Sequence, residues 1–206
     1  MLKNRDIVCI ANTSWFGKYT KSTVQLMDRL AKENRVLFVE HAYTFKDIIS
    51  TLLKKQDAPI SKMLGIKRRL QIIESDNHNK VYNLTIPPVL PLYFLKNESL
   101  FKLLFKINRW IYIRAVKKAM KRLKFSNPIV ISAFNPFYGV ACIGKLNEAS
   151  NIYYCYDAVE SRHFGERIFD VENELLHKTD MVITTSDSLK NLKNQINSNC
   201  YVVKNG

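Results

Sequence analysis

Asp157 closes the apolar run Ile152-Tyr153-Tyr154-Cys155-Tyr156 and opens onto Ala158, Glu160, Arg162 and His163. An acidic group that ends such a run sits at the carboxyl end of a buried strand, the edge where open α/β sheets bind ligands. A carboxylate there can act as a base or orient a substrate hydroxyl, and it can equally cap a turn. Asp157 is thus the candidate catalytic residue. Glu172 falls among Ile168, Leu175 and Leu176 on the apolar side of a helix. A carboxylate on a buried face needs partners, so Glu172 is expected to hold backbone N–H groups of a neighbouring loop in a structural role. Ser186 follows the apolar run Met181–Thr185 and is expected to brace a loop in the same way. Earlier in the chain, the segment Asn12–Lys21 carries Gly17 where backbone can approach a ligand near a helix amino terminus. It matches neither the dinucleotide fingerprint nor a Walker loop. Its alternative reading is a turn glycine with Trp15 and Phe16 packed on the rim.

These residues need elements to hold them. Asp6–Ala11 reads as a buried strand, Ser22 or Thr23 can cap the following helix, and Val24, Met27, Leu30 and Ala31 repeat at helical spacing. Arg35–Glu40 is a second strand, so the first forty residues form a right-handed βαβ unit with parallel strands. A helix over Phe45–Lys55 precedes short strands at Leu70–Ile73 and Val81–Thr85, and Pro87-Pro88-Val89-Leu90-Pro91 excludes regular structure. A basic helix over Glu98–Lys124 leads to the strand Ile129–Ser132, a helix over Phe137–Asn147 and the strand Asn151–Tyr156. Helix Glu166–Lys178, strand Met181–Thr185, a short helix after Ser186 and strand Cys200–Val203 complete the alternation. The pattern predicts an α/β fold: one Rossmann-like, doubly wound, mostly parallel sheet with helices on both faces, over residues 1–206 as a single domain.

Charge narrows the partners. Lys and Arg number 32 against 18 acidic residues, a net charge of +14, which calls for an anionic surface or substrate. Leu100–Lys124 holds nine basic residues and no acidic one, and His41–Leu70 holds seven basic and two acidic. On the basic helix, Phe101, Leu104, Phe105, Ile111, Tyr112, Ala115, Ala119 and Leu123 form the face expected to pack on the sheet. A second stripe of Leu103, Ile107 and Trp110 lies amid Lys106, Arg114, Lys117 and Lys121, the composition of an interfacial membrane helix. The alternative is a solvated basic face whose Trp covers a loop. No RNA-binding signature accompanies the stripe, so no nucleic-acid partner is expected. Four scattered cysteines with no Cys-x-x-Cys pair indicate neither a zinc site nor a disulfide framework, so no metal is expected and a reduced, cytoplasmic setting fits.

In ordered spacing these residues resemble the amino-terminal half of a GT-B glycosyltransferase of the family 4 kind used in cell-envelope or capsular polysaccharide assembly. The resemblance rests on Ser14-Trp15-Phe16-Gly17 before the first helix, Arg35–Glu40, Ala133-Phe134-Asn135-Pro136, Tyr153–Asp157, and Glu172 with Leu175-Leu176. Thr179–Ile183, Ser186 with Leu189, and Val202–Gly206 continue it. Many members carry His where Asp157 stands and a second acidic residue where Ala158 stands. The resemblance implies an acceptor-binding domain, with Asn12, Trp15, Gly17, Asn135 and His163 on the substrate. It implies that a second domain beyond a linker at 204–206 grips a nucleotide-sugar donor. Transfer would be retaining and need no metal, no cofactor would bind this half, and this half alone would be inactive. Acceptors in such pathways are often lipid-linked, so Lys106, Trp110, Arg114 and Lys117 would dock an anionic membrane, peripherally on the inner face of the plasma membrane. Two other readings are a non-catalytic basic adaptor that binds membrane or nucleic acid, and a sugar-nucleotide epimerase of similar architecture.

Overall fold

Apolar runs too continuous to alternate become strands covered on both sides. The computed structural model describes residues 2–17, 21–75, 77–161 and 165–204. Its strands are β1 (Asp6–Ala11), β2 (Arg35–Val39), β3 (Leu70–Glu74), β4 (Lys80–Leu84), β5 (Ile129–Ala133), β6 (Ser150–Cys155), β7 (Met181–Thr184) and β8 (Cys200–Val202). They form one eight-stranded sheet in the order β3-β4-β2-β1-β5-β6-β7-β8. Every pairing is parallel except β3 with β4, which run antiparallel. The fold is the Rossmann-like, doubly wound α/β arrangement that the alternation predicts. Strand β1 lies between β2 and β5, so the winding reverses at the β1–β5 seam.

The described helices are α1 (Ser22–Ala31), α2 (Phe45–Leu52), α3 (Ile60–Met63), α4 (Glu98–Leu123), α5 (Pro136–Cys142), α6 (Arg167–Lys178) and α7 (Asp187–Lys193). Val24 and Met27 of α1 pack on Ile7, Cys9, Val36 and Phe38 on one side of the sheet. Tyr112, Val116, Ala119 and Met120 of α4, with Tyr138 and Cys142 of α5, pack on Val8, Ile10, Leu37, Val39 and Val130 on the other. Further along that side, Leu175 and Leu176 of α6 cover Tyr153, Cys155 and Val182. Between the layers, a Cβ placed on Gly139 of α5 would stand 2.7 Å from Ser132 Oγ and 3.2 Å from Leu175 Cδ1, which is why the helix approaches so closely.

Several boundaries differ from expectation for local reasons. Lys21, not Ser22 or Thr23, occupies the cap position of α1, and no side chain caps it there. Helix α5 stops at Cys142, because Ile143 turns to ψ 128° and Gly144 takes φ +68°. Helix α2 stops at Leu52, and Lys54 adopts φ +55° two residues on. The buried side of α4 is also shifted from the expected face. Phe101, Asn108, Tyr112, Val116, Ala119 and Met120 are its fully buried residues, while Leu104, Phe105, Ile111, Ala115 and Leu123 are half-buried. Asn108 belongs inside because it satisfies the proline-rich segment: its Oδ1 accepts from the Leu90 N–H at 2.9 Å and its Nδ2 donates to the Leu90 carbonyl at 3.0 Å. Arg167 of α6 ties down the entry to α4, donating to the carbonyls of Leu95 at 2.7 Å and Lys96 at 2.9 Å and pairing with Glu98.

Candidate functional site

The carboxyl ends of β1 and β2 border a cleft of about 600 Å³. Asn12, Thr13 and Ser14 leave β1 on one side of it, and Glu40 and His41 leave β2 on the other. Tyr43, Asp47, Gln56–Pro59 and Lys62 form the outer wall, with Phe16, Gly17 and Lys21 at the rim. A cleft of about 670 Å³ lies at the opposite end of the sheet, where Asp6 pairs with Arg35 at 2.6 Å. Asp6 also accepts from the Ser126 N–H at 2.8 Å, and Arg35 donates to the carbonyls of Leu123 and Lys124 at 3.1 Å each. That end is a clamp between strands and helix, and ligands of such sheets gather at the other edge.

Glu40 organises the cleft from behind. It is buried, and its Oε1 accepts from Ser14 Oγ at 2.8 Å and from the Trp15 N–H at 3.4 Å, while its Oε2 accepts from Thr85 Oγ1 at 2.8 Å. One carboxylate thus fixes the loop after β1 to the ends of β2 and β4. The His41 N–H donates to the Thr13 carbonyl at 3.2 Å, and the imidazole lies 4.0 Å from the Tyr43 ring. Lys21 Nζ donates to the carbonyls of Ser14 at 2.9 Å and Phe16 at 3.3 Å, which closes the rim. Asp47 makes a capping box with Thr44 and accepts from Gln56 Nε2 at 2.8 Å.

Burial sets the protonation states. It lowers the Lys21 ammonium, with Glu40 opposing, and lifts the Tyr43 phenol to about 12, so Tyr43 stays a donor. Burial alone would raise Asp47, but the hydrogen bonds from Gln56 and Thr44 outweigh it and hold that carboxyl below its usual range. His41 is lowered below the ordinary 6.5, chiefly by burial, although Glu40 and Asp47 pull the other way. As pH falls below 6.5, unfolded His41 takes up a proton that the folded ring refuses. Stability is therefore lost on acidification through that window, and His41→Gln removes this part of the loss. Thermal midpoints of the two proteins between about pH 5 and 7 check it: the curve of the variant is expected to be the flatter one.

The sequence-predicted residues divide around the seam. Asn12 and Gly17 line the cleft. Trp15 does not; its indole packs edge-on against Phe38, with ring centroids 5.1 Å apart. Asn135 is buried at the seam, where its Nδ2 donates to the Ala11 carbonyl at 3.0 Å and its Oδ1 caps α5. Asp157 is exposed beyond β6, outside the cleft lining, and its Oδ1 accepts from the Ala158 N–H at 2.8 Å. His163, Asn205 and Gly206 lie outside the described residues.

Glu172 holds side chains rather than the loop N–H groups expected of it. Its Oε2 pairs with Lys193 Nζ at 2.7 Å with both groups buried, and its Oε1 accepts from Tyr153 Oη at 2.8 Å. Cys155 Sγ lies 3.8 Å from the same oxygen and donates to the Asp157 carbonyl at 3.2 Å. Burial, reinforced by Glu172, lifts the Cys155 thiol to about 12 and raises Tyr153 well above its usual value, so both stay protonated. Ser186 caps α7, accepting from the Leu189 N–H at 3.3 Å. On α4, Lys106, Trp110, Arg114 and Lys117 are all exposed, and Arg114 lies 5.2 Å from the Trp110 ring. No helix among the described residues is long and apolar enough to cross a membrane. No group of three or more His, Cys, Asp or Glu among them could hold a metal ion.

Sequence reasoning missed Glu40 and Lys193. Glu40 carried the same signal as Asp157, an acidic residue closing an apolar strand run. Lys193 had none, because its partner is 21 residues away and on another helix.

A solved sucrose-phosphate synthase chain from Thermosynechococcus elongatus has a similar fold. It superposes with a TM-score of 0.54 at 15% identity, over 98% of this chain and 90% of that one. This likeness is one of architecture. No protein-family model matches the sequence, and no curated protein does.

Proposed function

We propose that this domain is the acceptor-binding half of a nucleotide-sugar-dependent glycosyltransferase, one Rossmann-like half of a GT-B fold. The cleft beside the seam carries the reading. It is open enough for a saccharide, and it offers what sugar hydroxyls and ring faces bind: paired donors and acceptors from Asn12, Asp47 and Gln56, with the rings of Phe16, His41 and Tyr43 nearby. Its likeness in fold to a sucrose-phosphate synthase supports the same assignment. Lowered His41 is a neutral imidazole at physiological pH, able to accept a hydrogen bond from a sugar hydroxyl.

In this reading a second domain grips the nucleotide-sugar and transfer is retaining and metal-independent. Asp157, beyond β6, faces the same carboxyl edge and orients acceptor or donor sugar where the two domains meet. The acceptor is a saccharide, free or lipid-linked, and the basic stripe of Lys106, Trp110, Arg114 and Lys117 lies against anionic lipid on the inner face of the plasma membrane.

Amide chemical-shift mapping of the 206-residue chain tests the proposal. Short oligosaccharides are expected to move the signals of Thr13, Gly17, His41 and Gln56, and nucleotide-sugars to leave them in place. Nucleotide-sugars that perturb the cleft, or a cleft that no saccharide perturbs, would sink the reading.

A further inference from the structure

Helix α2 is built with its apolar side outward. Phe45, Ile49 and Leu52 share one helix face, continued by Leu53 at the C-cap, and they are 46, 60, 70 and 61% exposed. The half-buried positions toward the body are Asp47, Ile48, Ser50 and Thr51, three of them polar, and no residue of the helix is fully buried. Past α3 the pattern returns: Leu64 and Ile66, on either side of Gly65 at φ +78°, are 51 and 78% exposed. A helix that leaves most of its apolar side chains in solvent while polar ones face the body has its partner outside the domain.

Charge identifies the partner. Lys46, Lys54, Lys55, Lys67 and Arg68 are exposed among these apolar residues. The centres of protein interfaces are poor in lysine, whereas an apolar face ringed by basic groups is the composition of a helix that lies in the headgroup layer of an anionic bilayer. Lysine stems can lie along apolar surface while their ammonium groups reach lipid phosphates. The two acidic residues of the segment are drawn away from that surface. Asp47 is held by Thr44 and Gln56, and Asp57 lines the cleft.

We propose that α2 and the Leu64–Ile66 turn enter the headgroup layer of an anionic membrane and set the mouth of the cleft against it. The wall of the cleft, Gln56–Pro59 and Lys62, is the connection between these two apolar points, and Lys62 Nζ lies 5.5 Å from the Phe16 ring at the rim. The inference deepens the acceptor-site reading, on which its functional meaning rests, because it makes the acceptor one that is borne by lipid. It also separates the inserting element from the α4 stripe, which carries exposed Trp110 on a different helix.

An environment-sensitive fluorophore on Leu53→Cys tests it in the whole 206-residue chain, since all four native cysteines are buried. Phosphatidylglycerol-rich vesicles are expected to shift the emission to the blue, and phosphatidylcholine vesicles or high salt to abolish the shift. Leu52→Ser/Leu53→Ser should weaken co-sedimentation with the anionic vesicles roughly tenfold or more without altering the fold, since both side chains are exposed. A Leu53 probe that remains aqueous on anionic vesicles overturns the inference, including the case in which a probe on Trp110→Cys responds in its place. A shift that grows with protein concentration in the absence of lipid also overturns it, because the face would then belong to a second copy. Failure of the acceptor-site reading is separate: it is read from oligosaccharide binding with no membrane present.

Discussion

Glu172→Ala is expected to destabilise the domain by about 3–5 kcal/mol, since truncating one partner leaves the Lys193 ammonium buried and uncompensated. In a chain of this size that lowers the thermal midpoint on the order of 10 °C. The pair should be much cheaper to lose as a unit. Glu172→Met with Lys193→Met and Tyr153→Phe removes both charges and the Tyr153 hydroxyl that bonds to Glu172, so no buried polar atom of this group is left stranded. Calorimetry should find the triple variant close to the parent, well above either charge deletion alone. A Glu172→Ala variant that melts with the parent would mean that water reaches the pair. The same variants report on the loop after β6, because the Cys155 thiol joins this group to the Asp157 carbonyl.

Glu40→Ala should damage the cleft more than the fold. It strands the Thr85 hydroxyl and frees the loop at Ser14 and Trp15, at a cost of about 1–3 kcal/mol. Glu40→Gln keeps the volume, and the hydroxyls of Ser14 and Thr85 can rotate to suit an amide, so most of the stability should return. If the cleft is the acceptor site, Glu40→Ala in the complete enzyme is expected to reduce kcat/KM for acceptor on the order of a hundredfold, because the loop that positions the acceptor loses its anchor. The donor KM should stay put. Equal losses toward donor and acceptor would assign Glu40 to general stability instead.

What the chain discloses about itself follows from how each interaction is spaced. Strands β1, β2 and β5–β8 are legible to within a residue or so, because covered parallel strands are written as continuous apolar runs. The antiparallel β3–β4 hairpin is legible as two short strands but not as an exception in direction, and the order of strands in the sheet is not written in local spacing at all. Helix α2 was readable as a helix, and its periodicity would place Phe45, Ile49 and Leu52 inside; only the tertiary structure reveals that this face is in solvent. Asn108 could not be foreseen inside α4, since its reason is a carbonyl and an amide of Leu90 eighteen residues earlier. At the site, spacing led to Asp157 because of the polar groups that crowd around it. Glu40 holds the same position at the end of an apolar strand, but with no polar cluster around it the spacing shows only a strand's last residue.

The seam at β1 has a consequence for how the protein is made. Strand β1 is flanked by β2, which follows within about thirty residues, and by β5, just past which Asn135 donates to the Ala11 carbonyl across 124 residues of chain. A ribosome adds residues from the amino terminus, so β1 and β2 emerge early and wait with one side of β1 unpaired. That side is a bare strand edge, apolar from Ile7 to Ala11, the kind that recruits other chains. The end of β1 beside the cleft gains its partners on that side only when Ala133, which accepts from the Asn12 N–H, and Asn135 have arrived, and pairing over so long a stretch of chain is slow. The central strand is thus the best protected part of the finished sheet and the most vulnerable part of the nascent one.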